Sequence, residues 1–346
     1  MYDTKNKFKA LLGHDGIVIL GIETSCDETA AAVTRGCFVL SSVIASQAKI
    51  HQKFGGVVPE VASRNHMLDI LNTVDKALKD AGVALNQVDA IAVVHKPGLI
   101  GSLLVGVSTA KALAFSHNIP LIKVNHIEAH IAACFADKGT EELKHPFLAV
   151  VASGGHTTLF DVTGHNKYEK IGGTTDDAIG EAFDKVARVL GLDYPGGPEV
   201  DKRAKQGEPY IQFIKSKGTA ADLSLSYSGL KTAVVNYVNK LKQKGDNVPI
   251  DDICASFNKQ AADILIKAVL KAAQSKRYDT IVLAGGVAAN SYLRAELTSA
   301  AKGFNVVIPP LNLCGDNAVM VAVRGYLSAH QGHDLADLDL TAQSVS

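Results

Sequence analysis

The strongest constraint in this chain is a pattern that occurs twice. Residues 17–40 read as an apolar strand (Ile17 to Ile22), a turn rich in hydroxyls and acids (Glu23-Thr24-Ser25-Cys26-Asp27-Glu28-Thr29), and two further apolar runs at 30–33 and 37–40. Residues 147–171 repeat that order: Phe147 to Ala152, the turn Ser153-Gly154-Gly155-His156, Thr157 to Val162, then Tyr168 to Ile171. Identity between the two stretches is negligible, but strand, short hydroxyl-bearing turn, strand, strand is one architecture. Further strands at 88–94, 119–124, 278–283 and 304–308 alternate with helical segments, which predicts an α/β protein. Two such halves predict duplicated lobes with a nucleotide in the cleft between them. The 346 residues are long enough for two domains. The expected division is a loose leader at 1–15, an N-terminal lobe of 16–140 with 318–346, and a C-terminal lobe of 141–317. The polar stretch 137–145 marks the boundary.

The turns carry the atoms suited to ligand chemistry. Hydroxyls and N–H groups at 23–29 can face a phosphate while the acids hold a cation; the composition also suits a plain solvated turn. Ser153-Gly154-Gly155 has no bulky Cβ at its centre, so its N–H groups can touch phosphate oxygens. The turn from His95 to Ser102 enters a helix, either as an anion site or as a device for close helix–strand packing. The turn from Ala284 to Asn290 places Asn290 to hydrogen-bond a ligand. A helix is predicted over 176–190, with Asp184 at its middle. After it, Tyr194-Pro195-Gly196-Gly197-Pro198 reads as a rigid loop against which a ring or sugar can lie, or as a simple turn between helices.

His126 and His130 lie four apart in a predicted helix, just after the strand at 119–124. That spacing stacks both imidazoles on one face, where they can share a metal ion. Two ordinary helix-face histidines have the same spacing. Asp316, ahead of a closing helix at about 318–330, is either that helix's N-cap or the carboxylate completing a two-histidine metal site. The tail at 331–346 is polar and expected to be loose.

Formal net charge is zero, so nucleic acid would have to meet a local patch or one completed by a partner. Lysine groups at 202–205, 240–244 and 267–277 are candidates, and are equally a solvated face. The five cysteines are scattered and form no CxxC, which points to free thiols in a reducing compartment. No run of about 18 apolar residues occurs, and residues 1–9 are not a secretory signal. A cytoplasmic protein without a membrane span is expected.

Several blocks together carry a family resemblance: GIETSCDETAAAV at 21–33, FGGVVPEVASRNH at 54–66, NHIEAH at 125–130, SGGHT at 153–157, DDAIGEAFDKVARVLGLDYPGGPEVD at 176–201, SGLKTAV at 228–234, LAGGVAANSYLR at 283–294 and CGDNAVMVA at 314–322. Over roughly residues 16–330 the chain resembles the TsaD (Gcp, Kae1-like) family, the catalytic subunit of tRNA threonylcarbamoyladenosine synthesis, in its bacterial form. The resemblance implies an actin-like ATPase fold, shared with sugar kinases, Hsp70 and actin. It implies transfer of threonylcarbamoyl from threonylcarbamoyl-AMP to N6 of adenosine 37 in tRNAs reading codons that start with A. It makes His126, His130 and Asp316 ligands of one divalent metal, Fe(2+) ahead of Zn(2+). Val151, Ala152, Ser153, Gly154 and Gly155 match the phosphate turn, and Asp184, Gly197, Asp201 and Asn290 match positions that bind the adenylate. It implies tRNA, a smaller paralogous subunit (TsaB-like) and a P-loop ATPase subunit (TsaE-like) as partners, with weak or no turnover expected of the chain alone. No general base is identified.

The chain departs from the family at Lys96, where a glycine is usual, and at Leu225 and Tyr227, where phenylalanines are. A lysine does not take positive φ cheaply, so the loop at 96 is either unaffected or rearranged. The rival readings are a metallopeptidase and a kinase of the same fold, with a nucleotide-gated scaffold as the non-enzymatic one. Zinc peptidases need Glu directly after the first His, and Ile127 stands there.

Overall fold

The computed structural model describes residues 2–138, 143–214, 223–276 and 278–345. It divides into two units, Met1–Lys144 with Gly164–Lys167 and Asp316–Ser346, and His145–Thr163 with Tyr168–Gly315.

The first unit is built on strands β1 (Val18–Glu23), β2 (Glu28–Arg35), β3 (Phe38–Ser46), β4 (Ala90–Lys96) and β5 (Leu121–Asn125). The sheet order is β5-β4-β1-β2-β3, extended beyond β5 by the short strand Leu335–Ala336. β4 lies parallel to β1 and β5, while β2 runs antiparallel to β1 and to β3. All six residues of β1 are buried, as a central strand covered on both faces must be. The second unit carries β6 (Phe147–Ala152), β7 (Thr157–Gly164), β8 (Lys167–Thr174), β9 (Ser224–Leu225), β10 (Thr280–Ala284) and β11 (Asn305–Val307), in the order β11-β10-β6-β7-β8-β9. With the two-residue strands Ser224–Leu225 and Leu335–Ala336 set aside, each sheet reads 3-2-1-4-5 when numbered from its own first strand. The duplication legible in the turns is thus a duplication of topology.

Gly21 explains how the closing helix, Ala318–Gln331, lies so close to β1. A Cβ at Gly21 would stand 2.4 Å from the carbonyl oxygen of Ala318 and 2.7 Å from the nitrogen of Ala322. The helix is buried along almost its whole length and carries Asp316 at its entry.

Four expectations need correction. The expected loose leader is docked on the first unit: Phe8 is buried in the helix Lys5–Lys9, and Tyr2 Oη donates to the carbonyl of Ile119 at 2.9 Å. The expected loose tail is also tied down. Leu335–Ala336 covers the edge of β5, which would otherwise be unpaired. Gln343 N–H donates to the carbonyl of His95 at 2.8 Å, and Leu340 and Ala342 pack against the core. The helix expected from 176 begins at Ile179, because Asp176 serves another element. Its carboxylate accepts from the N–H groups of Tyr227 (2.9 Å) and Ser228 (3.3 Å) at the start of the helix Ser228–Lys244. Burial works against that charge, but the Ser226 hydroxyl and these N–H groups outweigh it and hold Asp176 below the usual carboxylate range. Finally, Gly196 and Gly197 form the first turn of the helix Gly196–Ala204 rather than a loop.

Tyr227 yields the first prediction. It is fully enclosed in the core of the second unit, and its hydroxyl has no hydrogen-bond partner among the described residues. Tyr227→Phe is expected to stabilise the fold by about 1–3 kcal/mol, read as a higher urea midpoint. An unchanged midpoint would mean that the hydroxyl is satisfied. None of the five cysteines is paired in a disulfide, and no helix among the described residues is long and apolar enough to cross a membrane.

Candidate metal centre and nucleotide turns

β5 ends at Asn125, whose side chain caps the next helix, His126–Ala132, by accepting from the N–H groups of Ile127 (2.8 Å) and Glu128 (3.4 Å). The cap starts the helix at His126, so the two histidines rise one turn apart. Their ring centroids are 4.7 Å apart, edge to face. Asn317, not Asp316, caps the closing helix by accepting from Met320 N–H at 3.0 Å. Asp316 is thereby turned to the histidines, with Oδ1 3.6 Å from His126 Nε2 and 3.3 Å from His130 Nε2. One ligand atom from each residue falls within 4.8 Å of the others, a set able to hold one metal ion. His130 is 1% exposed, yet neither ring nitrogen has a hydrogen-bond partner among the described residues. A buried imidazole left so costs stability unless another group takes it up. Two imidazole nitrogens and one carboxylate suit iron or zinc.

The hydroxyls at the start of the turn 23–29 are not solvated. Thr24 and Ser25 are buried and engaged within the unit. Glu23, fully buried, takes the N–H of Ser25 on one carboxylate oxygen and sits 3.1 Å from His126 Nδ1 with the other; Ser25 Oγ lies 3.0 Å from the same nitrogen. A carboxylate accepts and cannot donate, so Nδ1 carries the proton and Nε2 is left to face Asp316. The glycine turn after β4 proves to be a packing device. A Cβ at Gly98 would stand 2.7 Å from the carbonyl oxygen of Ser25, and one at Gly106 2.4 Å from Thr24 Oγ1. Lys96 is the last residue of β4, paired with Asn125 across a bulge, and does not have positive φ. The lysine therefore stands there without backbone strain.

Sequence reading missed the network that braces this turn. His66 Nε2 donates to the carbonyl of Cys26 at 3.0 Å, so its Nδ1 accepts the Thr29 hydroxyl at 2.7 Å. Gln47 links His66 to His51. Buried polar residues spaced through an amphipathic helix were the available signal.

Burial presses His126 toward its neutral form, but the Glu23 and Asp316 carboxylates outweigh it and hold the metal-free pKa up to about 9. Burial likewise pushes Glu28 up to about 7, opposed by the Ser46 hydroxyl and helped by Asp27 and Asp316. A metal must displace the His126 proton. Its affinity is expected to weaken as pH falls below about 9, with about one proton released per ion near pH 7. Calorimetry in two buffers of different ionisation heat counts that proton, and a count of zero would remove His126 from the ligand set. In the metal-free chain the sign is that of any raised base. The stabilisation is complete below about 6.5 and lost as pH rises through about 9.

The other candidates belong to the second unit. Val151 and Ala152 end β6 with fully buried side chains. Ser153 N–H donates to the carbonyl of His156 at 2.8 Å, while positions 154 and 155 face open space. The helix Ile179–Leu190 starts against this turn, with Gly180 N–H donating to the carbonyl of Ser153 at 3.2 Å. Gly285, at φ 91°, lies so close to the end of β6 that a Cβ would stand 2.4 Å from the carbonyl oxygen of Ala152. The turns at 153–155 and 285–286 are therefore neighbours. Asp184 Oδ1 accepts from Gly196 N–H at 2.8 Å, which fixes the entry of the helix bearing Gly197 and, one turn on, Asp201. Asn290 is buried and caps the helix Ser291–Ala300 through Leu293 N–H at 2.9 Å. Asp201 Oδ1 accepts from the Ser291 hydroxyl at 2.9 Å, which joins these two candidates. Of the lysine groups, Lys205 pairs with Asp201, and position 277 lies outside the described residues.

Comparison with known proteins finds relatives along most of the chain. Residues 38–323 match the family model of TsaD, tRNA N6-adenosine threonylcarbamoyltransferase. A tRNA N6-adenosine threonylcarbamoyltransferase of Geobacillus kaustophilus is 49% identical over 333 residues, covering 95% of this chain and 96% of that protein. One from Clostridioides difficile is 48% identical over 326 residues, covering 92% and 96%. Among solved structures, T. kodakarensis HypF has a TM-score of 0.59 at 13% identity, covering 92% of this chain and 48% of its own. Component A of the Acidaminococcus fermentans (R)-2-hydroxyglutaryl-CoA dehydratase has a TM-score of 0.53 at 13% identity, covering 90% and 99%. These two share the fold alone, the actin-like ATPase fold expected from the sequence. Spacing, topology and near-full-length identity agree, and the chain belongs to the tRNA N6-adenosine threonylcarbamoyltransferase family.

Proposed function

We propose that this chain transfers the threonylcarbamoyl group from threonylcarbamoyl-AMP to N6 of adenosine 37 in tRNAs reading codons that start with A. The observation that carries the reading is the family match over residues 38–323. In this reading Ser153, Gly154 and Gly155 offer N–H groups to the adenylate phosphate, with Val151 and Ala152 leading in. Asp184, Gly197, Asp201 and Asn290 hold the nucleoside. His126, His130 and Asp316 hold one divalent metal, iron ahead of zinc. When bound there, the metal supplies Lewis-acid polarisation of the carbamoyl carbonyl and orients that end of the donor.

The donor is a mixed anhydride with a good leaving group, so no nucleophilic side chain is needed. The chain's residues have to hold donor and amine in attack geometry, an effect that contributes about 7–11 kcal/mol. A peptidase reading finds no support at Glu128. That carboxylate is taken by the buried Arg324 at 2.7 and 3.0 Å, where it is not available to activate water. With no net charge, tRNA binding falls to a local patch or to the TsaB-like and TsaE-like partners, and the reaction takes place in the cytoplasm.

The test is a reconstituted reaction of the chain, both partner subunits, threonylcarbamoyl-AMP and unmodified tRNA, with nucleosides quantified by mass spectrometry. Modified adenosine is expected from wild type and not from Asp316→Ala. No product from wild type beside active partners would sink the transferase reading, and product surviving in Asp316→Ala would remove the metal from the chemistry.

A further inference from the structure

Asn258 lies inside the long helix Ile250–Lys276 and is 2% exposed, among Phe257, Ala261 and Ala262 of the core. A short amide is a poor choice for a helix interior, and enclosing one in a core costs stability unless its hydrogen bonds are met. Here they are met by two of the residues assigned to the adenylate. Asn258 Oδ1 accepts from Asn290 Nδ2 at 2.8 Å, and Asn258 Nδ2 donates to Asp201 Oδ1 at 3.5 Å. Asp201 Oδ1 also receives the N–H of Ser291 at 3.2 Å and its hydroxyl at 2.9 Å, and Asp201 Oδ2 pairs with Lys205 at 3.1 Å.

These bonds fix an orientation. Asn290 Oδ1 is committed to the N–H of Leu293, so its amide nitrogen must face the other way. One of its two protons goes to Asn258, which leaves one for a ligand. Asp201 is held by donors from two different helices, so its carboxylate cannot turn freely. Asp201, Asn258 and Asn290 come from three separate segments, and the Asn258 amide touches both of the others.

We propose that Asn258 is a positioning residue for adenylate recognition: it touches no substrate, but sets the Asn290 amide and the Asp201 carboxylate in the orientation that binds the nucleoside. The inference rests on the proposed reading of Asp201 and Asn290 as adenylate ligands. It separates recognition from core packing, since a leucine of similar volume at 258 would serve the core as well or better.

The experiment is calorimetric titration of the full chain with AMP, for wild type, Asn258→Leu, Asn258→Gln, Asn290→Ala, Asp201→Ala and the double variant Asn258→Leu/Asn290→Ala. Metal content and thermal midpoint are read beside each. Asn258→Leu is expected to weaken AMP binding about tenfold to a hundredfold, with metal content and midpoint unchanged. The double variant is expected to bind no worse than the weaker single one, because both act through one amide contact. Asn258→Gln keeps the amide, guards against a folding defect in the leucine variant, and is expected to recover part of the affinity. AMP affinity kept by Asn258→Leu, while Asp201→Ala and Asn290→Ala lose it, would overturn the inference and leave the adenylate reading standing. Fully additive losses in the double variant would overturn it too. Unchanged affinity in Asp201→Ala and Asn290→Ala, or no AMP binding by wild type, would remove the adenylate reading and this inference with it.

Discussion

A His130→Ala chain is expected to lose its metal and to transfer threonylcarbamoyl at least about 100-fold more slowly, because losing even a hydrogen-bond partner of a metal ligand costs about 10–100-fold. The position isolates the metal from the fold. His130 is enclosed, and the polar contact it makes is the 3.3 Å approach of Nε2 to Asp316, itself in the candidate ligand set, so alanine there disturbs that set rather than a wider polar network. Beside the contact with Asp316, the metal-free variant should lose the packing of one ring, about 2–4 kcal/mol by analogy with other large-to-small core changes. Elemental mass spectrometry of purified wild type and variant, read beside a urea titration, separates the two effects. A variant that keeps one equivalent of metal would show that the ion is held elsewhere.

The second large effect lies in the core. Gly21→Ala places a methyl group 2.4 Å from the carbonyl oxygen of Ala318 and 2.7 Å from the nitrogen of Ala322. Both are backbone atoms of a buried helix, so no side chain can swing aside. Overpacking of this kind costs about 1–3 kcal/mol or more. Relief requires the closing helix to shift away from β1, and Asp316 stands at its entry. The substitution is therefore expected to lower the urea midpoint and also to weaken metal binding, although Gly21 touches no ligand. Stability lost with metal affinity intact would show that Asp316 is positioned independently of that helix.

Much of this was legible in the sequence, for physical reasons. Strands in a doubly covered sheet are short apolar runs, so β1, β4, β6 and β10 were visible as runs, and the repeated turn announced the repeated topology. Histidines four apart on a helix share a face whatever surrounds them, so the pair at 126 and 130 was also visible. Asp316 was not settled by local rules. An acid before a helix is ambiguous between cap and ligand, and the ambiguity ends only because Asn317 takes the cap. Partners that are distant in sequence stayed hidden: Glu23 behind His126, His66 beneath Cys26, and Asn258 between Asp201 and Asn290. Polarity at those positions has no periodicity, and their pairing depends on the packing of whole elements. The two ends of the described chain misled for a related reason. Their composition is polar, but a few apolar residues and one open sheet edge suffice to dock them.

The first unit is interrupted: it runs to Lys144, takes in Gly164–Lys167, and is completed only from Asp316 onward, with the whole of the second unit encoded between. The histidines come from the first piece and the carboxylate from the last. During synthesis, then, the full candidate set cannot exist until the second unit and Asp316 have been translated. An ion held there would report that translation has passed the second unit and that the two pieces of the first unit have come together, and a copy terminated before Asp316 carries the histidine pair without the carboxylate.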